Sequence, residues 1–494
     1  MKFLRALCVL AVALCVAGSV YAETQSVKVS GDLTMRGILR DNYDYRGSVS
    51  EPDITRTLVG SDSHQSFIMS IAEIEVDADL TDNVQTVIRI LNQRDWNVAA
   101  AKNIAQNTTL AQNGLGGYAY SADEFQVDVD LAYVVLKDFI YSPLTLTIGR
   151  QDLWFGKGFI VGLNQQNPTG SLNAPEYTAI NSFDAVKAVL DYDPWTITGV
   201  YSNIRNNAIT ANDGVDLWGG NVGYKFDAYK AEAEGYWFFK KDKSVERWGP
   251  VKSNNDVHTI GIRGSMDPID VVTLAAEGAY QFGSFVGNRS QINNRDRSAF
   301  AIDIAGELRY FTEKFAWKPK LGIEYVLYSG NEPEENPAVT AGNYEGWDPV
   351  YRGKFDSAIR EFVGRYYASY AYPSRANYVI SNSDAAFTNQ HQVVFSGSIQ
   401  PIESLTLKGN YNLFWTVEDY FYDTGRVGAA TNANADPRNL GGFIGQEIDL
   451  QANWDYTEDV SFGLLTAWLV PGTKVYRNAD KVATDVVGSV KVSF

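Results

Sequence analysis

Cysteine is almost absent: among 494 residues only Cys8 and Cys15 carry a thiol, and both lie in the first 22 positions. A disulfide-stapled secreted domain and a thiolate metal site are therefore excluded for the remainder. Positive charge is also short, with 42 Lys and Arg against 59 Asp and Glu and a formal net charge of −17. Binding nucleic acid through its phosphates needs a surplus of cations on at least one face, so that class is excluded. Beyond residue 22 no apolar run reaches the roughly 18 residues of a membrane-spanning helix. The histidines are His64, His258 and His391 only, and no serine is identifiable as the partner of any. Hydrolase chemistry then lacks a base held beside a nucleophile, and no catalytic residue, metal site or cofactor is expected. What is plentiful is Tyr, Phe and Trp, at 29, 24 and 11, too much apolar surface for a disordered chain. A large soluble β-rich protein and an outer-membrane barrel remain.

The two ends favour the second. Lys2 and Arg5 precede a short apolar stretch from Ala6 to Gly18, and Val20-Tyr21-Ala22 offers the small residues a signal peptidase reads. Cleavage after Ala22 is expected, leaving 23–494 as the barrel and taking the net charge from −17 to −19 with the loss of Lys2 and Arg5. At the other end Val490, Val492 and Phe494 alternate with Ser489, Lys491 and Ser493, the two-residue period of a strand with one face in oil. Terminal Phe494 is expected to engage the barrel assembly machinery.

Between the ends the same alternation recurs in about 18 segments. Ile74, Val76, Ala78 and Leu80 oppose Glu73, Glu75, Asp77 and Asp79; Phe300, Ile302 and Ile304 oppose Asp303 and Glu307. The connections alternate long and short: 42–66 then 81–83, 94–124 then 139–143, 151–182 then 193–194, and onward through 330–390 and 401–403. Lipid-spanning barrels keep short turns on the periplasmic side and long loops outside, whereas a soluble sandwich has no reason to segregate them. The expected fold is all-β: a single transmembrane antiparallel β-barrel of about 18 strands in the cell outer membrane, surrounded by lipid and lipopolysaccharide, with both termini periplasmic.

Sorting by parity puts 12 basic and 18 acidic side chains on the inward face. Such a wall is expected to be wet, since a dry core would have to pair every ion. The expected pore-lining cations are Arg36, Arg40, Arg89, Lys187, Arg263, Arg309, Lys320 and Lys408. Across the turn at 81–83, Glu75 and Arg89 are expected to face each other.

Leu146-Thr147-Ile148-Gly149-Arg150-Gln151-Asp152-Leu153-Trp154-Phe155-Gly156-Lys157-Gly158-Phe159, followed by Phe183-Asp184-Ala185-Val186, resembles the alginate export family of outer-membrane porins over about 125–205. Lys157 stands where that family usually has an acid and Phe159 where it usually has Arg. The resemblance implies an 18-stranded barrel that passes an anionic polysaccharide along an arginine-rich conduit. Gly156, Gly158 and Gly162 would let the loop after Arg150 fold back into the mouth, since glycine admits positive φ and close packing. Arg150 and Lys157 would then sit at the constriction, Arg150 needing a bulge at Gly149 to turn inward; the alternative is a structural Arg150–Asp184 pair. The 330–390 loop is too long for a passive connection and reads as a lid or plug, with Tyr366, Tyr367, Tyr370 and Tyr372 suited to sugar rings. The expected function is passive passage of a small polar solute or an anionic oligosaccharide. The rival is a closed adhesion or receptor barrel whose long loops bind ligand.

Overall fold

The computed structural model describes residues 25–42, 64–96, 127–166, 172–205, 214–243, 255–286, 294–309, 315–331, 342–364, 387–418, 420–421, 439–440, 442–472 and 481–494. Eighteen strands form one antiparallel sheet. They are β1 (Ser26–Asp41), β2 (His64–Thr81), β3 (Val84–Asp95), β4 (Asp128–Leu136), β5 (Leu144–Gln151) and β6 (Phe183–Tyr192). Next come β7 (Trp195–Arg205), β8 (Val215–Phe226), β9 (Ala231–Asp242), β10 (Asn255–Ile269), β11 (Val272–Val286) and β12 (Asn294–Leu308). The last six are β13 (Lys320–Tyr328), β14 (Gln390–Ile402), β15 (Leu405–Trp415), β16 (Phe443–Asp455), β17 (Val460–Pro471) and β18 (Ala483–Ser493).

Each strand pairs with its sequence neighbours, and β1 pairs with both β2 and β18, so the sheet closes and leaves no edge unpaired. At the seam Gly31 and Phe494 exchange backbone hydrogen bonds of 2.9 Å, and a Cβ on Gly31 would stand 2.6 Å from the Phe494 ring. Glycine there lets the terminal aromatic lie across the first strand.

The alternation in the sequence is the inside–outside pattern of the wall. Ile74, Val76, Ile88, Ile260, Ile262, Ile304, Leu321 and Ile323 are exposed on the outer surface, while Asp130, Glu277, Asp303, Glu447 and Asp485 are buried on the inner one. About 9–11 residues cross the hydrocarbon layer. The 18-residue β2 and the 15-residue β10, β11 and β12 therefore continue past it at the long-loop end.

At that end the interior departs from the expected wet wall. Segments 152–166 and 342–364 turn inward and meet inside the barrel, joined by Tyr351 N–H to the Ile160 carbonyl (3.0 Å), Gly162 N–H to the Tyr351 carbonyl (2.8 Å) and Gly353 N–H to the Gly158 carbonyl (2.8 Å). Around this joint Phe159, Ile160, Val161, Trp347 and Tyr351 pack on inward residues Phe183, Leu217, Phe238 and Tyr328 to form a dry core. The inward face is thus mixed: small and aromatic side chains where the segments dock, charged ones elsewhere. Parity alone gives the face but not what covers it.

Candidate functional site

The constricted lumen is built from the end of β5. Gly149 has φ +127°, and a Cβ there would collide with the Ala132 carbonyl of β4, so only glycine fits. Pairing of β5 with β4 and with β6 nonetheless runs without a register shift. Gln151 consequently points inward and is buried, donating to the Ala185 carbonyl at 3.0 Å. Arg150 points outward beside Ile148 and meets Asp184, its cross-strand partner, at 3.4 Å. This corrects the expectation that Arg150 lines the pore: with no bulge to invert the face, the structural pair with Asp184 is what forms.

Past Gln151 the chain enters the barrel and reverses at Gly156 (φ +54°) and Gly158 (φ +75°). Lys157 at this tip borders a crevice with Arg263, Glu277 and Asp303. Trp154 just before it keeps 54% of its surface exposed. Farther along, Glu176 and Tyr177 return to the wall. Buried Glu176 pairs with buried Arg40 of β1, which also lies 3.5 Å from Asp485 of β18, and Arg36 stacks 5.0 Å over the Tyr177 ring. Arg40 was expected to line the pore; it is instead an internal tie between this loop and the closure seam.

The second segment is held by carboxylates of the wall. Lys354 Nζ donates to Asp303 (2.9 Å), to Asp356 (3.0 Å) and to Glu324. Arg352 is enclosed by Phe159, Tyr328 and Phe387, with its guanidinium carbon 5.0, 5.2 and 5.2 Å from the ring centres, and it reaches Asp356 at 3.2 Å. A six-residue π-helical turn, Ala358–Val363, follows. Its first N–H groups donate to the wall: Ile359 and Arg360 to Glu447 at 2.5 and 2.9 Å, and Ala358 to Asp449 at 3.2 Å. Carboxylates facing helix N–H groups satisfy donors that have no partner within the helix. Burial raises the carboxyl of Glu361 in this turn to about 7.

The remaining expected cations divide into two sets. Arg89 is bound by Asp130 and approached by Glu75 (3.7 Å), Glu73 and Asp152 (both 3.8 Å), which includes the expected cross-turn neighbour. Arg263 bridges Glu232 and Glu234 at 2.5 Å each, and Arg309 meets Asp267 at 3.1 Å at the short-turn end. Lys187, Lys320 and Lys408 stand on the inward parity of β6, β13 and β15 and have no ion-pair partner among the described residues. The four tyrosines between 366 and 372 lie outside the described residues, as does the segment before Ala22. Among the described residues no group of His, Cys, Asp and Glu could hold a metal. His258 and His391 are on the outer face, stacked 4.1 Å from Phe239 and 5.4 Å from Trp415.

A closed barrel of 18 strands, coated with apolar side chains and narrowed by inserted loops, has the architecture of an outer-membrane channel. Residues 45–489 match the family model described as alginate export. The chain belongs to the alginate export family. Among solved structures it is similar to OccAB4 of Acinetobacter baumannii, 9% identical, covering 96% of this chain and 99% of that one with TM-score 0.52. OpdL of Pseudomonas aeruginosa is comparable, 9% identical, with 95% and 99% covered and TM-score 0.53. No curated protein matches the sequence. This alginate export barrel is thus an outer-membrane channel for solute passage, in contact with membrane lipid. Sequence reasoning missed three parts of its constriction: Trp154, the Arg352-Gly353-Lys354 triplet, and the use of Glu447 and Asp449 as anchors. Two cations flanking a glycine inside a long loop, opposite an acidic wall, were the available signal for the triplet.

Proposed function

We propose that this barrel passes a small polar or anionic solute, up to the size of an oligosaccharide, through the gap left between the inserted loops and the wall. In this reading residues 1–22 are removed on export, both termini lie in the periplasm, Phe494 is read by the assembly machinery, and the long loops face lipopolysaccharide. The observation that carries it is the division of charge inside the barrel. Wall acids Asp130, Glu232, Glu234, Asp303, Glu324, Glu447 and Asp449 are committed to protein partners, whereas Lys187, Lys320 and Lys408 have no ion-pair partner among the described residues. An acidic excess that holds loops in place does not set the sign of the free charge a solute meets, and unpaired cations raise the local concentration of anions.

Reversal potentials in a KCl gradient across a planar bilayer test this. Anion preference is expected in the wild type and a shift toward zero in Lys187→Gln/Lys408→Gln. Cation preference in the wild type would reject the reading.

A further inference from the structure

Between the inserted loop and the wall of β6–β9 lies a cleft of about 190 Å³, lined by Trp154, Phe155, Lys187, Val189, Thr198, Asn221 and Glu234. The cleft opens to the lumen and has room for one substituted ring. Its exposed aromatic wall is Trp154, and that ring is held in place. Gly158, Gly162 and Gly353, from both inserted segments, close on its six-membered ring so tightly that a Cβ would come within 2.6, 3.1 and 2.7 Å. The indole N–H donates to the Gly156 carbonyl at 3.0 Å. The packed side rests on backbone while 54% of the residue stays open. A fixed aromatic surface costs little entropy when a second ring stacks on it.

We propose that this cleft is a binding site for a single-ring aromatic carboxylate, stacked on Trp154 with its charge on Lys187. Lys187 is the cation of the cleft; Asp152 is its acidic neighbour but lies beyond ion-pair distance, and the ammonium can bind a ligand carboxylate. Phe155 and Val189 supply apolar sides. The other polar groups are Thr198, Asn221 and Glu234, of which two are engaged with each other and the wall: Asn221 Nδ2 donates to Glu234 Oε2 at 3.0 Å, and Glu234 Oε1 accepts from Arg263 at 2.5 Å. With Asn221 Nδ2 and Glu234 already engaged, a sugar acid would have to share the remaining groups among several hydroxyls, whereas an aromatic acid asks for one charged partner and a ring face. The site depends on the channel reading only for how the ligand arrives.

The test pairs current block with calorimetry on the detergent-purified full chain, using 4-hydroxybenzoate and galacturonate as probes. Expected is saturable block and binding by 4-hydroxybenzoate, weakened at least about tenfold in Trp154→Ala and in Lys187→Gln and largely restored in Trp154→Phe, with galacturonate weaker than 4-hydroxybenzoate. Absence of 4-hydroxybenzoate binding, binding indifferent to both substitutions, or equal binding of galacturonate that depends on Trp154 would overturn the site. A chain that conducts but does not bind refutes this site alone. One that binds without conducting supports the site and refutes the channel reading.

Discussion

Replacing Lys354 with Met should open the constriction. Its ammonium sits among Asp303, Glu324 and Asp356, with side-chain exposures of 14% for Lys354, 2% for Asp303 and 17% for Glu324. Removing one partner from a buried ion cluster typically costs about 3–5 kcal/mol, because the remaining charges stay desolvated. The partial exposure here argues for the lower end, about 3 kcal/mol, or roughly two orders of magnitude in the ratio of docked to undocked segment at about 1.4 kcal/mol per tenfold. The barrel wall does not depend on this cluster, so the variant should still fold and insert. In single-channel recordings Lys354→Met is expected to show larger and noisier open steps than the wild type, and Lys354→Arg to resemble the wild type. If Lys354→Met has the same conductance and open-state noise as the wild type, the segment is not held by this cluster and the account of the wall acids is wrong.

The same segment should respond to pH. Burial holds the Glu361 carboxyl at about 7, with Arg352, Lys354 and Asp356 as its charged neighbours. The docked state therefore binds a proton more readily than the undocked one. Its extra stability is full below the ordinary carboxyl value near 4.5 and is lost as pH rises through about 7. Conductance noise should grow between about pH 5 and about pH 7.5, and Glu361→Gln should flatten that rise. Arg40→Met leaves Glu176 and Asp485 buried without their cation, so segment 172–182 should become cleavable by added protease while the barrel stays intact. Unchanged protection would mean that the tie contributes nothing. Arg150→Ala should leave reversal potentials unchanged, since Arg150 faces outward with Asp184. A loss of anion preference in that variant would put Arg150 back in the conduction path.

How much of this was legible in the sequence follows from which constraints are periodic. A strand with one face in lipid has to alternate, so all eighteen strands could be found, β6 to the residue. The inward and outward sides of Ile74, Glu75, Ile304 and Asp303 followed from the same period. Arg150 shows the limit: its side depends on whether Gly149 adds a bulge, and glycine is needed there for a different reason, the close approach of the Ala132 carbonyl. The roles of Glu447, Asp449 and Asp303 were hidden because their partners come from a loop 50 or more residues away with no period of its own. A count of wall charges cannot distinguish a carboxylate that meets solute from one that holds a loop. Trp154 was visible as part of a motif, but its bed includes Gly353 from a separate loop, and only the folded chain brings them together.

In the proposed channel the two inserted loops narrow the barrel without sealing it. Single-channel conductance of the purified full-length chain in a planar bilayer tests it most directly, recorded beside a variant in which residues 342–364 are replaced by a short Gly-Ser linker. Discrete small steps are expected in the wild type and clearly larger ones in the variant. No conductance in the wild type would contradict it and favour a closed receptor barrel, and equal conductance in both chains would show that the loops do not form the constriction.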